Sequence, residues 1–221
     1  MATIFIAGAS RGIGLEFARQ YRAANHKVIA TARDAAGLAK LIALGCPALQ
    51  LDVIDSASVG ALPDALAGLS LDVIIINAGL LGPRSAALAP PSQDEFDAVM
   101  RTNVLGPMRL IPLLAPLLVP GGKLVLLSSQ MGSIAARSAT GAGLYRASKA
   151  ALNSVMKEAA LSLPNAITVS VHPGWVRTDM GGTGADIDVS DSVARLRQLI
   201  ASLKPAQNGA FLTLDGSPIP F

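Results

Sequence analysis

A tyrosine and a lysine stand four residues apart in Leu144-Tyr145-Arg146-Ala147-Ser148-Lys149-Ala150-Ala151-Leu152. The apolar residues here and beyond, Ala150, Ala151, Leu152, Val155 and Met156, recur at helical spacing. One helical turn therefore separates the phenol from the ammonium, and both lie on one face. A phenol titrates at about 10 in model compounds, and a nearby ammonium favours its ionised form, so Lys149 is expected to move Tyr145 toward proton exchange at neutral pH. That is the outline of a general acid. The same pair also occurs on ordinary solvated helices, so the chemistry needs support from elsewhere in the chain.

Ala7-Gly8-Ala9-Ser10-Arg11-Gly12-Ile13-Gly14 supplies some of it, because it joins an apolar strand to a helix. There, backbone N–H groups and the helix dipole make an anion site suited to a pyrophosphate. Gly8 can take the angles of a tight turn, Gly12 lets a ligand approach the chain, and Gly14 lets the helix lie close to the strand. Gly8, Ser10, Arg11, Gly12, Ile13 and Gly14 are thus candidate cofactor-binding residues, although Gly-x3-Gly-x-Gly departs from the Gly-x-Gly-x2-Gly fingerprint. A tight turn with no ligand would read the same way. The residues also spell Gly-x-Ser-x-Gly, the nucleophile elbow of an α/β-hydrolase with Ser10 as nucleophile. Against that reading, such folds build several strands before the elbow, and the only downstream histidines to take the Ser10 proton are His26 and His172.

The elements that must position these residues alternate in period. Short β-branched runs give way to longer helical segments from end to end, the pattern of βαβ units in a doubly wound α/β fold with a parallel sheet. Strands are expected at Thr3–Ala7, Lys27–Ala32, Ala48–Leu51, Leu71–Ile76, Lys123–Leu127, Thr168–His172 and Ala210–Leu214. Helices are expected at Gly12–Ala24, Ala35–Leu44 and Ser56–Leu66, from Gln93 to about Leu118 with proline-induced bends, and from about Gly143 and Asp191. The 221 residues, 51% hydrophobic and 15% charged, suit one domain over 1–221. A net charge of +3 is dispersed, which favours small anionic ligands over nucleic acid. One cysteine, Cys46, excludes an internal disulfide, and two histidines without clustered Cys or carboxylates give no metal spacing. A cytoplasmic setting follows. No export signal precedes the first strand, and Leu110 to Pro120 is too short and proline-broken to span a membrane.

Gly8, Gly12 and Gly14, then Asn77-Ala78-Gly79, Asn103, Ser129, Tyr145-x3-Lys149 and Pro173-Gly174 together resemble the short-chain dehydrogenase/reductase family, in that order and over the whole chain. His172-Pro173-Gly174-Trp175-Val176-Arg177-Thr178-Asp179-Met180-Gly181-Gly182 is similar to the subgroup of C-factor and sniffer-type carbonyl reductases. The resemblance implies a Rossmann-type sheet of about seven strands ordered 3-2-1-4-5-6-7, with NADPH or NADP+ bound at the carboxyl ends of the strands. It implies that Tyr145 protonates a substrate carbonyl oxygen that Ser129 also hydrogen-bonds. Lys149 would lower the Tyr145 pKa and hold the nicotinamide ribose, and Asn103 would anchor a proton-supplying water. Asp52, Asn77, Ala78, Gly79, Pro173, Gly174, Val176 and Thr178 are carried over as further cofactor contacts. Each polar residue also has a plainer reading: Ser129 and Asn77 as strand-end turn residues, Asn103 as a backbone ligand in a bent helix, and His172 as a packed strand-end histidine. The chain departs from the family pattern at Ala7, where many members have threonine. The sixteen-residue interval from Ser129 to Tyr145 is also long, and its small, glycine-rich loop from Ala135 to Gly143 is a candidate border of the substrate.

Cofactor choice is legible in charge. The second strand ends at Ala32, with no carboxylate to repel a 2′-phosphate, and Arg33 follows. Arg11 is expected to approach the same phosphate, and Asp34 reads as the N-cap of the next helix. NADPH is the expected cofactor. The substrate is expected to be a small carbonyl or alcohol, with Leu80, Leu81, Met131, Trp175 and Met180 forming apolar surroundings and Gly181 to about Ser190 a short lid. Arg84, Arg137 or Arg146 would instead serve an anionic substrate. A dinucleotide-binding sensor without turnover is the alternative from another class. The apolar content of the helices from Gln93 and Gly143, including Met108, Leu110, Leu113, Leu117, Leu152, Val155 and Met156, suggests a homodimer or homotetramer, simple burial being the other explanation.

Overall fold

The computed structural model describes residues 1–84 and 88–221. Seven strands form: β1 (Thr3–Ala7), β2 (Lys27–Ala32), β3 (Ala48–Gln50), β4 (Leu71–Ile76), β5 (Leu118–Leu127), β6 (Ile167–His172) and β7 (Phe211–Thr213). They pair in parallel in the order β3-β2-β1-β4-β5-β6-β7, so the winding reverses between β1 and β4. The connecting helices are α1 (Gly12–Ala23), α2 (Ala35–Ala43), α3 (Ser56–Gly60), α4 (Leu62–Ala65), α5 (Gln93–Met100), α6 (Gly106–Leu114), α7 (Gly143–Ser162) and α8 (Val189–Ser202).

Successive strand residues face opposite sides of the sheet. Ile4 and Ile6 of β1 accordingly join Phe17 of α1 and Leu196 of α8 in one apolar layer. Phe5 and Ala7 join Leu110 of α6 with Leu152 and Met156 of α7 in the other. With both faces covered, a central strand must be apolar throughout, as in Val73-Ile74-Ile75-Ile76. Phe5, Ile6 and Ile74 are fully buried, and burying such a side chain contributes about 1.5–3 kcal/mol.

The stretch from Gln93 to about Leu118 is not one helix. α5 passes into a π-helical turn at Arg101–Leu105, α6 follows, and a 3-10 turn at Ala115–Leu117 leads into β5. Pro107 has no N–H for the Asn103 carbonyl four residues back, and Gly106 donates to Arg101 instead, which widens the turn. β5 starts at Leu118, earlier than expected: Leu118 pairs with Leu71, and the register shifts before pairing resumes at Lys123. The segment 56–66 also divides, between α3 and α4. Leu110, Leu152 and Met156 are core residues of this chain, while Met108 is exposed, as are Phe96 on α5 and Leu161 on α7. Among the described residues no helix is long and apolar enough to cross a membrane, and no cluster of His, Cys, Asp and Glu could hold a metal ion.

Candidate active site

The carboxyl ends of β1, β4, β5 and β6 bring most of the selected residues to one edge of the sheet. At the end of β4 the main-chain N–H groups of Asn77 and Ala78 donate to Ala7 O at 3.0 and 2.9 Å, and Asn77 Nδ2 donates to Gly8 O at 2.5 Å. The glycine turn is thereby tied to β4. Gly8 has φ +86°, and a Cβ there would meet the Ala78 backbone at 2.8 Å; on Gly14 it would lie 2.1 Å from Gly8 O. Both positions exclude any larger residue. A Cβ on Gly12 would meet Thr178 at 3.4 Å, so that glycine faces the segment after β6.

The turn also passes the test for an anionic cofactor. α1 begins after Arg11 with no side-chain cap and no acidic residue in its first turn, so its N-terminal N–H groups have no carboxylate of their own and suit a pyrophosphate. Beside it β2 ends at Ala32, Arg33 is exposed, and Asp34 caps α2 by accepting from Gly37 N at 2.7 Å. Gly37 was not anticipated. Its Cβ would sit 2.7 Å from both Ala32 Cβ and Ser10 Cβ, so only glycine lets α2 lie against the turn; a glycine three residues after a capping aspartate was the available signal. Asp52, after β3, accepts from Ile54 N at 3.1 Å in its own turn. Arg11 departs from expectation: Nη1 donates to Asp179 at 2.9 Å, with the two side chains 71% and 75% exposed. It points at the opposite carboxylate across the groove and leaves Arg33 as the cation at the end of β2.

Ser129 leaves β5 in extended conformation, and its Oγ accepts from Met131 N at 3.2 Å. Tyr145 and Lys149 lie on successive turns of α7, both buried. The Lys149 ammonium sits 5.7 Å from the centre of the Tyr145 ring and donates to Leu127 O at 2.8 Å. Gly132 packs onto this turn of α7: its Cβ would lie 2.8 to 3.0 Å from Lys149 backbone and Cβ atoms, a requirement the sequence alone does not display.

Burial pushes the Tyr145 phenol up to about 12, with the Ser129 hydroxyl pulling it down. Burial, rather than Lys149, sets the direction of this shift. Burial also brings Lys149 itself down to about 8, so desolvation dominates both groups. Asn103 is completely buried. Its Nδ2 donates to Leu80 O at 2.8 Å and Ser148 Oγ at 2.9 Å, and its Oδ1 accepts from Leu80 N at 2.7 Å. The amide thus pins the strand-end loop to α7.

Beyond β6, burial holds His172 down to about 4, so it is neutral, and its Nδ1 has no partner among the described residues. Pro173 O accepts from Ser192 Oγ at 2.7 Å, Gly174 has φ +83°, and Val176 bridges to Ile187. Thr178 Oγ1 accepts from Gly181 N at 3.2 Å. Leu80, Trp175 and Met180 are exposed, with Leu81 and Met131 partly buried. The three arginines considered for an anionic substrate bind main-chain oxygens: Arg84 that of Met180, Arg137 that of Ala139 and Arg146 that of Gly141.

Residues 2–186 match the family model for short chain dehydrogenases. C-signal of Myxococcus xanthus is 37% identical over 155 residues, covering 68% of this chain and 93% of that protein. The carbonyl reductase Sniffer of D. melanogaster superposes with a TM-score of 0.89 at 30% identity, with each chain fully covered. A carbonyl reductase from Pseudomonas aeruginosa PAO1 in complex with NADP superposes at 0.86 with 32% identity, again over the whole of both chains. With a glycine turn, a buried serine, tyrosine and lysine, and this sheet order, the chain belongs to the short-chain dehydrogenase family of oxidoreductases.

Proposed function

We propose that this chain is a single-domain NADPH-dependent reductase of aldehyde and ketone carbonyl groups, with Tyr145 as general acid. The observation that carries the reading is the gathering of Ser129, Tyr145 and Lys149 at the same edge of the sheet as the uncapped N-terminus of α1. The family relatives crystallised with NADP, including the Pseudomonas carbonyl reductase, support the choice of cofactor. NADPH, when bound, supplies the hydride. The α1 N-terminus and Ser10 hold its pyrophosphate, Arg33 its 2′-phosphate, and Asn77 to Gly79 with Lys149 the nicotinamide ribose. Ser129 hydrogen-bonds the substrate carbonyl oxygen, and Tyr145 gives that oxygen a proton as negative charge builds on it. A phenol at about 12 remains competent in this direction, because a nascent alkoxide is the stronger base. Exposed Leu80, Trp175 and Met180 favour a compact apolar substrate.

The test is NADPH consumption with a panel of aldehydes, ketones and quinones, repeated with Tyr145→Phe. Turnover should fall by about 10²–10⁴-fold while dinucleotide affinity changes little. Near-normal turnover in that variant would sink the mechanism. The similarity to C-signal favours a second reading, a dinucleotide-binding signalling protein; tight cofactor binding with no consumption across the panel would select it. Exposed Phe96, Met108 and Leu161 support a homo-oligomer built on α5 to α7, against which a monomeric mass in light scattering would count.

A further inference from the structure

We propose that the segment 216–221 is a strut for the substrate pocket, and that Ser133 and Phe221 are positioning residues that set substrate size; the proposal rests on the reductase reading of the site. After β7 the chain folds back, with Thr213 N donating to Ser217 O at 2.9 Å and Ile219 N to Phe211 O at 2.7 Å. Ile219 is buried, and the Phe221 ring stacks on Phe211 with centroids 6.0 Å apart. This return delivers Pro220 and Phe221 to the start of the loop between Ser129 and Tyr145. Ser133, 1% exposed, donates from Oγ to Pro220 O at 2.5 Å and accepts from Ala136 N at 3.0 Å. Ala135 N donates to the Phe221 main-chain oxygen at 3.0 Å.

The strut reaches the chemistry in one step. Ser133 N donates to Gln130 O and Gly132 N to Ser129 O, at 3.0 and 2.8 Å, so Ser133 closes the turn that orients Ser129. A carbonyl oxygen touching both Ser129 and Tyr145 lies between the two ends of this loop, so in this proposal substrate bulk on the loop side meets the segment that the strut holds. Ile134, 75% exposed, stands between the two strut contacts in sequence.

The experiment compares phenylacetone with acetone for wild type, Ser133→Ala, Ser133→Thr and Phe221→Ala, alongside hydrogen exchange at Ala135 and Ala136. Loss of the two Ser133 Oγ hydrogen bonds predicts a rise of at least about fivefold in KM for phenylacetone relative to acetone in Ser133→Ala. Phe221→Ala should act in the same direction, kcat and NADPH affinity should stay near wild type, and Ser133→Thr should recover most of the loss. Both amides should be protected in wild type and exchange about tenfold faster in the alanine variants. Unprotected amides in wild type, equal KM changes for the two ketones, or a fall in kcat alone would overturn the proposal. If wild type reduces neither ketone, the KM ratio is taken between the largest and smallest panel substrates it does reduce; no consumption across the panel sinks the reductase reading, while the exchange measurement still decides whether the strut exists.

Discussion

Lys149→Met should stabilise the cofactor-free protein at neutral pH, and the size of the effect follows from burial. Folding takes the lysine from a model value of 10.5 to about 8, and at 1.36 kcal/mol per pKa unit the buried charge costs about 3 kcal/mol below pH 8. Methionine is similar in length and apolar, so it removes that cost. It also removes the hydrogen bond to Leu127 O, which takes back about 1–2 kcal/mol. The net gain is about 1–2 kcal/mol, or roughly 2–8 °C in Tm for a chain of this size. The sign has a pH signature. Between about 8 and 10.5 the folded wild type has already lost the Lys149 proton while the unfolded chain still binds one, so wild-type stability rises with pH across that window and the advantage of the variant shrinks. Groups common to both proteins cancel in the difference. Urea unfolding at a series of pH values from neutral to alkaline reads the effect directly. A variant less stable than wild type at neutral pH, or a difference that does not change with pH, would refute the reasoning. The same variant should lose both turnover and cofactor affinity, since Lys149 is assigned to both.

Two further outcomes test the cofactor wall and the catalytic turn. NADPH should be preferred over NADH by at least about tenfold in kcat/KM at moderate salt, and Arg33→Ala should narrow the ratio mainly by raising KM for NADPH; equal use of both cofactors by wild type would remove the role of Arg33. Gly132→Ala drives a methyl into the Lys149 backbone, which at 2.8 Å cannot rotate away. About 1–3 kcal/mol of strain follows, and kcat should fall while Arg33-dependent NADPH selectivity persists; an unchanged kcat would show that the turn accommodates the methyl.

How much of this was legible in the sequence depends on the range of the interaction. β1, β2 and β4 begin and end where expected because β-branched runs are bounded by turn residues that fix their limits locally. The same locality gave the Ala32–Arg33–Asp34 register, and Asp34 caps α2 as its side chain suggests. The prolines announced trouble between Gln93 and Leu118 without revealing its form, since whether a helix bends, widens or stops depends on what packs against it. Gly132 was invisible and Gly37 was marked only by its place after a capping aspartate, because each is required by a contact with a distant residue, Lys149 and Ser10. The direction of the Tyr145 shift was misread because spacing shows which charges are near and says nothing of how deeply they are buried. Arg11 turned to Asp179, which lies 168 residues away in the chain.

Around Lys149 the local choices run against stability together. Lys149 is 4% exposed, and its ammonium makes no salt bridge among the described residues. Gly79 leaves open space beside it, where a Cβ would stand 3.5 Å from both Lys149 Nζ and Asn103 Oδ1, and Gly132 yields its own side chain to the lysine backbone. A buried charge and the glycine at 79 each cost free energy that an apolar side chain and an alanine would not. Consistency across levels holds elsewhere in the sheet and its helices, so a concentrated exception marks a place where the sequence is answering to something other than folding. A ligand that accepts the hydrogen bonds of that ammonium would relieve the largest of these costs. Cofactor binding should therefore raise the stability of wild type by more than that of Lys149→Met at equal free cofactor concentration.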